Sequence, residues 1–378
     1  MRKIMLVALA GALFAATAAP LEIVSPKEGA TVPILTAEMK AYLALPRAER
    51  VAQFADPAAR KRIAKFGDRP PKTRLAWTCT LPAATGTVWS VKVCRAKDGK
   101  VVFTKRTSKD AVDVDNLKIA CDYRWRVKGT SRDGTQMRAE GTFRTEDTAP
   151  RLMHVSRVHN MRDFGGRVGL DGRRVRQGIV YRSAGLNANA RKSKSKGGMV
   201  PGKVTLTDAS RAYAKGVLGI RTDIDLRSDR ECFGMTGSPL GPEVKWVHVS
   251  SSAYGGMAKD SGKKAFAKVF RVFLDEKNYP LDFHCIAGAD RTGSLAFILN
   301  ALLGVDEEEL WRDWEVTGFQ TSNVKFAHRS RFDKLVKVFE ALPGANIHEK
   351  VAAYVKSVGF TDADIEKFRS IMLEPRQH

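Results

Sequence analysis

Residues 281–303 read LDFHCIAGADRTGSLAFILNALL, and this stretch restricts the fold more than any other. A short apolar run ends in "FHC". A loop with two glycines follows. An apolar helix then runs to Gly304. A strand, a tight loop and a helix in that order belong to an α/β layer structure, where ligands bind beyond the carboxyl ends of the strands. The helix N-terminus presents N–H groups and the positive end of a dipole, which suits an anion. Gly288 and Gly293 let the backbone turn and approach a ligand closely. Arg291 adds a planar, permanently charged fork for two phosphate oxygens. Cys285 sits at the mouth of this positive loop. Both the helix terminus and Arg291 favour its thiolate, so its pKa is expected below the free value of about 8.5.

The chain from 151 onward supports that fold class. "GIRTDIDLRS", "KWVHVS" and "PLDFHC" read as buried strands, and "TLTDASRAYAKGVLGI" as a helix. "HEKVAAYVKSVGFTDADIEKFRSIML" reads as two amphipathic helices around Gly359. Strands alternating with helices predict a mainly parallel sheet flanked by helices. Between 74 and 145 the period is two. "RLAWTCTL", "VWSVKV", "KVVFTKR", "DYRWRVKG" and "AEGTFRTED" are strands, with Asp98-Gly99 and Asp133-Gly134 as turns. This predicts an all-β antiparallel sandwich preceding the α/β domain, and the pattern resembles a fibronectin type III domain. "TAEMKAYLALPRAERVAQFADPAARKRIAKF" reads as short helices broken at Pro46 and Pro57, and "GDRPPKT" as a linker. Arg2 and Lys3, the uncharged stretch 4–16 and Ala16-Thr17-Ala18 form a signal-peptide pattern. The expected organisation is a signal peptide at 1–18, a helical segment and linker at 19–69, the sandwich at 70–150 and the catalytic domain at 151–378. The expected location is periplasmic or extracellular, with no transmembrane segment after cleavage.

The net charge of +23 favours anionic partners or a basic solvated surface. No zinc-finger spacing or aromatic RNA-binding signature is present, so no specific nucleic-acid binding is expected. Five cysteines and no C-x-x-C disfavour a zinc ribbon. Cys79, Cys94 and Cys121 crowd together and cannot all pair with one another, so their pairing stays open. No metal and no cofactor are called for, because nucleophile, acid and anion cradle are all protein groups.

H-C-x-x-G-x-D-R-T-G resembles the active-site loop of cysteine-dependent protein tyrosine phosphatases. The closer resemblance is to the bacterial tyrosine/serine phosphatase family. Its "N-F-R-D-L-G-G" element is matched by "NMRDFGG" (160–166), its "DGR…G…YRS" by 171–186 and its "DLRS…E" by "DLRSDRE" (225–231). The resemblance spans roughly 155–374 and implies a two-step mechanism. Cys285 attacks phosphorus, an acid protonates the leaving oxygen, and water hydrolyses the phosphocysteine. Arg291 and the loop amides of Ile286, Ala287, Gly288, Ala289 and Asp290 would stabilise the equatorial oxygens. Thr292 would hydrogen-bond the thiolate, and His284 would set loop geometry. Asp290 matches the family's acid. Asp260, on the stretch "SSSAYGGMAKD" (250–260), and Asp225 are the alternatives. The family's lysine before that aspartate is Ala289 here, which removes a cation that multiply phosphorylated lipids would use.

Arg182 and Arg227 are either pocket-lining or structural, and Arg162 and Asp163 share that ambiguity. Asp163 is expected to be structural. "ARKSKSKGG" (190–198) is a solvated or substrate-capturing loop, and Cys232 is a candidate disulfide partner for Cys285. The expected substrate is a phosphotyrosine protein or peptide, with phosphoserine and phosphothreonine as alternatives. The rivals are a phosphoinositide phosphatase, a non-catalytic phospho-ligand binding protein and a rhodanese-like sulfurtransferase.

Overall fold

The computed structural model describes residues 21–193, 198–320 and 329–376. The signal-peptide stretch 1–18 and the core of the basic run, 194–197, lie outside the described residues. The chain divides into two compact units. One comprises the residues up to Ala30 with Arg74–Asp113 and Tyr123–Phe143. The other comprises Thr31–Thr73, Val114–Asp122 and Arg144 onward.

The β-rich part contains β1 (Leu21–Ser25), β2 (Ala30–Val32), β3 (Thr73–Cys79), β4 (Trp89–Arg95), β5 (Val101–Thr107), β6 (Ala111–Val114), β7 (Asp122–Thr130) and β8 (Gln136–Thr145). They form a three-stranded sheet ordered β1-β3-β6 and a five-stranded sheet ordered β2-β8-β7-β4-β5. Alternation assigns the faces. Val91 and Val93 of β4 stand opposite Val127 and Trp125 of β7 on the inner face, while Lys92 and Arg126 pair on the outer one. Trp77 of β3 meets Trp89 edge-on at 6.0 Å and lies 6.4 Å from Trp125, so indole rings fill the space between the sheets.

The second unit begins with three short helices, α1 (Ala37–Ala44), α2 (Arg47–Ala55) and α3 (Pro57–Ile63). Pro46 and Pro57 do break the helices: Pro46 occupies the N-cap of α2 and Pro57 the first position of α3. The stretch 19–69 is nevertheless more than a helical segment and linker. Its start forms β1 and β2, and its helices cluster with the later α/β residues. "LEIVS" is too short for its alternation to stand out before Pro26. Buried Arg50 of α2 shows what holds this segment. Its Nε donates to Glu315 at 2.6 Å, Nη2 to Glu308 at 2.8 Å and Nη1 to the Leu45 carbonyl at 2.6 Å.

The central sheet is built from β9 (Arg162–Asp163), β10 (Val180–Ser183), β13 (Thr222–Asp225), β14 (Lys245–His248) and β15 (Leu281–His284); β11 (Arg191–Lys192) and β12 (Met199–Val200) form a separate ribbon. The order is β14-β13-β15-β10-β9, parallel except for the antiparallel edge strand β9. The helices are α4 (Asp208–Gly216), α5 (Asp260–Phe273), α6 (Arg291–Leu302), α7 (Glu307–Glu315), α8 (Arg329–Glu340), α9 (Ile347–Ser357) and α10 (Asp362–Met372). Helix α6 is apolar around nearly its whole circumference and is buried from Thr292 to Leu302. No helix among the described residues is long and apolar enough to cross a membrane.

Arg50→Ala would leave Glu315, whose carboxyl burial already pushes up, without its cation. Loss of one partner from such a buried pair is expected to lower stability by about 3–5 kcal/mol. Urea unfolding followed by tryptophan fluorescence measures this, and a change below about 1 kcal/mol would deny the helical segment its anchoring role.

Candidate active site

The loop 285–290 leaves the carboxyl end of β15, the strand between β13 and β10, and leads straight into α6. Its backbone is held from outside. The Ile286 carbonyl accepts from the Gly185 N–H at 3.0 Å. The Ala287 carbonyl accepts from Asn160 Nδ2 at 2.9 Å, and the Gly288 carbonyl from Arg182 Nη2 at 2.7 Å. The carbonyls of Ala289 and Asp290 accept from the N–H groups of Gly293 and Ser294 inside the helix. With the carbonyls drawn outward, N–H groups turn inward, and those of Gly288 and Thr292 reach the Cys285 sulfur. Gly288 has φ +66°, and a Cβ there would lie 2.5 Å from the Ser183 carbonyl oxygen. Only glycine fits this position.

Cys285 is buried in the centre of the loop. Burial alone would raise its pKa. The Arg291 charge, the Thr292 hydroxyl and the two N–H donors outweigh it and bring the thiol below its ordinary value. Arg291 is the first residue of α6. Glu231 grips it with both oxygens, Nη1–Oε2 at 2.7 Å and Nη2–Oε1 at 3.3 Å, while the Leu226 carbonyl takes a further contact at 3.3 Å. Burial works against the Glu231 charge, yet Arg291 and the Ser228 N–H keep the carboxyl below its usual range.

Beneath the loop lie two charged layers. The guanidiniums of Arg162, Arg167 and Arg182 converge on the single carboxylate of Asp313. Burial pulls the Arg162 pKa down to about 9, helped by the Arg182 charge, while three cations drive the Asp313 carboxyl far below its normal range despite burial. On the sheet, Asp223, Asp225, Asp282 and His284 are all buried. His284 Nε2 stands 2.9 Å from Asp223. Burial opposes its charge, but Asp225 and Asp223 lift its pKa to about 10. The flanking carboxylates thus favour the protonated imidazole, a charge held in place rather than exchanged.

The structure places the other candidates clearly. Arg182 and Arg227 are fully buried; Arg182 supports the loop from below, and Arg227 pairs with Asp225 and bonds to Asn187. Asp163 accepts from the Gly165 and Gly178 N–H groups and pairs with Arg151, so it pins the "NMRDFGG" turn. Asp225 is occupied by Arg227 and by Cys232 at 3.4 Å. Asp260 is an exposed first residue of α5. Asp290 lies in the loop itself, half-buried, with the Tyr254 hydroxyl donating to Oδ1. All five cysteines are free thiols, and burial with the Asp225 charge pushes Cys232 up to about 12.

Five supporting groups escaped the sequence reading: Asn160, Gly185, Glu231, Tyr254 and Asp313. Asn160 opens "NMRDFGG" and Glu231 closes "DLRSDRE", so motif position could have flagged both. Asp313 carries no local signal, because its partners are 131 to 151 residues away.

Two predictions follow from this geometry. Alkylation of Cys285 by iodoacetate requires the thiolate, so a lowered pKa extends reaction to pH values below the free-thiol midpoint of about 8.5. The pH profile of inactivation reads this, and Arg291→Ala should move the midpoint upward. Gly288→Ala should abolish the cradle through its clash with Ser183 and cost about 1–3 kcal/mol in an unfolding titration.

The tyrosine phosphatase family model matches residues 153–196 and 203–374, more than half of the chain. A Cupriavidus necator protein carrying the provisional name tyrosine-protein phosphatase is 29% identical over 180 residues. That match covers 40% of this chain and 58% of the relative's length. Among solved structures, the core catalytic domain of the PP-IP phosphatase Siw14 from S. cerevisiae, in complex with citrate, aligns at 16% identity and a TM-score of 0.25. It covers 42% of this chain and 83% of that one. A second structure of the Siw14 catalytic core aligns at 13% identity and a TM-score of 0.26, covering 40% and 80%. The loop at Cys285 and the family match over its flanking elements place the chain in the tyrosine phosphatase family.

Proposed function

We propose that the protein is a phosphomonoesterase that hydrolyses phosphotyrosine, and with it phosphoserine or phosphothreonine, through a phosphocysteine. The observation that carries this reading is a buried thiol of lowered pKa in a loop whose Ile286, Ala287 and Gly288 carbonyls are drawn outward. In the first step the Cys285 sulfur attacks phosphorus and the bond from phosphorus to the ester oxygen breaks. Asp290 gives its proton to the departing oxygen. In the second step water attacks phosphorus, Asp290 takes the water proton, and the S–P bond breaks to return the thiolate and release phosphate. Arg291 and the loop N–H groups hold the equatorial oxygens in both steps. Glu231 supports this by presetting the guanidinium plane.

Protein rather than phosphoinositide substrates are favoured because Ala289 is fully buried and brings no cation to the rim. The same reading takes the protein as exported through the pattern at 1–18. It takes the β-rich unit as fibronectin type III-like, which the tryptophan packing between its two sheets supports.

The test is phosphate release by the full chain from p-nitrophenyl phosphate, a phosphotyrosine peptide and phosphoinositides, with reductant and chelator present. Turnover on the first two, lost in Cys285→Ser and unaffected by chelator, is expected. Asp290→Asn should lower kcat on the peptide by about 10²–10⁴-fold. Activity surviving in Cys285→Ser would overturn the nucleophile, and activity confined to phosphoinositides would overturn the substrate class.

A further inference from the structure

The stretch that links β14 to α5 offers few carboxylates. Here 250–260 contains only Asp260, which is exposed at the start of α5. The same stretch instead sends a buried phenol into the loop. Tyr254 opens the short turn Tyr254–Ala258, is 9% exposed, and holds φ at +53°. A bulky side chain in that left-handed region is strained and needs a compensating contact.

Three contacts supply it. The Tyr254 hydroxyl donates to Asp290 Oδ1. The Tyr254 N–H donates to Ser294 Oγ at 2.9 Å, and Ser294 Oγ donates to the Asp290 carbonyl at 2.9 Å. Backbone and side chain of one tyrosine thus reach both ends of one aspartate. The indole of Trp314 lies against the same hydroxyl, and the Phe332 ring meets the Tyr254 ring edge-on at 6.5 Å.

Asp290 behaves as this contact requires. It occupies the N-cap of α6, where an aspartate ordinarily turns its carboxylate onto the N–H groups of the first turn. Here the carboxylate makes no such bond. The Gly293 and Ser294 N–H groups are taken by the carbonyls of Ala289 and Asp290 instead. The side chain is drawn away from capping and held by the phenol.

The geometry points to Tyr254 as the residue that positions the proton-donating carboxyl of Asp290 at the phosphate cradle, a role that rests on the reading of Asp290 as the acid. The phenol is not itself a suitable donor, since burial and the neighbouring carboxylate raise its pKa well above the ordinary tyrosine value.

The role predicts a dependence on the leaving group. Phenolate needs a proton as it departs, whereas 2,4-dinitrophenolate does not. The experiment compares the full chain with Tyr254→Phe, Asp290→Asn and the double variant on phenyl phosphate and 2,4-dinitrophenyl phosphate. Tyr254→Phe should lose roughly 10- to 100-fold in kcat/KM, which reports only the step in which the leaving group departs, on phenyl phosphate and stay within about two-fold on the dinitrophenyl ester. Asp290→Asn should show the same pattern with a larger loss, and the double variant should be no worse than Asp290→Asn alone. Ser294→Ala, which cuts the backbone anchor of Tyr254, is the second variant and should show a smaller loss of the same kind. Equal losses of Tyr254→Phe on both esters, no loss on either, or a full additional loss in the double variant would overturn the role. If Asp290→Asn keeps the leaving-group pattern while Tyr254→Phe does not, only the role of Tyr254 falls. If Asp290→Asn is indifferent to the leaving group, the acid assignment falls and takes Tyr254 with it.

Discussion

The hydrogen bond from Arg182 to the Gly288 carbonyl is the interaction on which the candidate site depends. A six-residue loop at a strand end has no intrinsic reason to turn its N–H groups toward one point. Its carbonyls must be drawn away, and a buried guanidinium does this at the residue where the backbone is left-handed. Burying that guanidinium is expensive unless it is paired. Asp313 pairs with it, and shares itself with Arg162 and Arg167. Three cations around Asp313, one of them also paired with Glu309, leave an excess of positive charge below a loop whose thiol pKa is lowered. The same burial that stiffens the cradle therefore also favours the anion above it.

The sheet beneath departs from ordinary practice for the same reason. Strands buried on both faces are normally apolar throughout. Here β13 and β15 alternate. Leu281, Phe283 and Ile224 face the helical core, while Asp223, Asp225, Asp282 and His284 share the other face in register. A buried imidazolium flanked by carboxylates is rigid, because movement would strand a charge in a low-dielectric interior. The cost falls on folding, and the benefit is a Cys285 backbone that cannot drift.

Much of this was legible in the sequence, and the limits have physical causes. The loop 284–293 exposed its proposed chemistry because every participant is local: the thiol, the glycine, the candidate acid Asp290, the arginine and the helix start lie within ten residues. The β-rich strands were legible because their alternation persists for seven or more residues, as in "DYRWRVKG". The short strands at the start, "LEIVS" and "ATV", fall below the length at which a period is visible. The groups that hold the loop from outside were harder still. Arg182 could be singled out, but its buried structural role depends on Asp313, which has no motif and meets its partners only through the topology. Tyr254 sits in a stretch whose carboxylate, Asp260, is the more visible candidate, and a phenol acting on another segment's carboxylate leaves no spacing to read.

The segment 31–73 changes how the catalytic unit should be delimited. Its sequence reads only as short helices and a linker, because the helices are short and the composition charged. Yet Asp68, inside the stretch read as a linker, accepts from the Asn160 N–H at 2.8 Å. Asn160, at φ +51°, then reaches the Ala287 carbonyl through its side chain. One carboxylate in the apparent linker is thus two hydrogen bonds from the phosphate cradle. Gly67 adds a backbone bond to the Phe319 carbonyl at 2.8 Å, and Tyr42, Phe66 and Phe319 pack edge-on around it. The family match begins at 153, after this segment. Physical support for the loop therefore begins more than eighty residues before the family match does, and a fragment cut at 151 would lose an anchor of Asn160 along with the aromatic packing beside it.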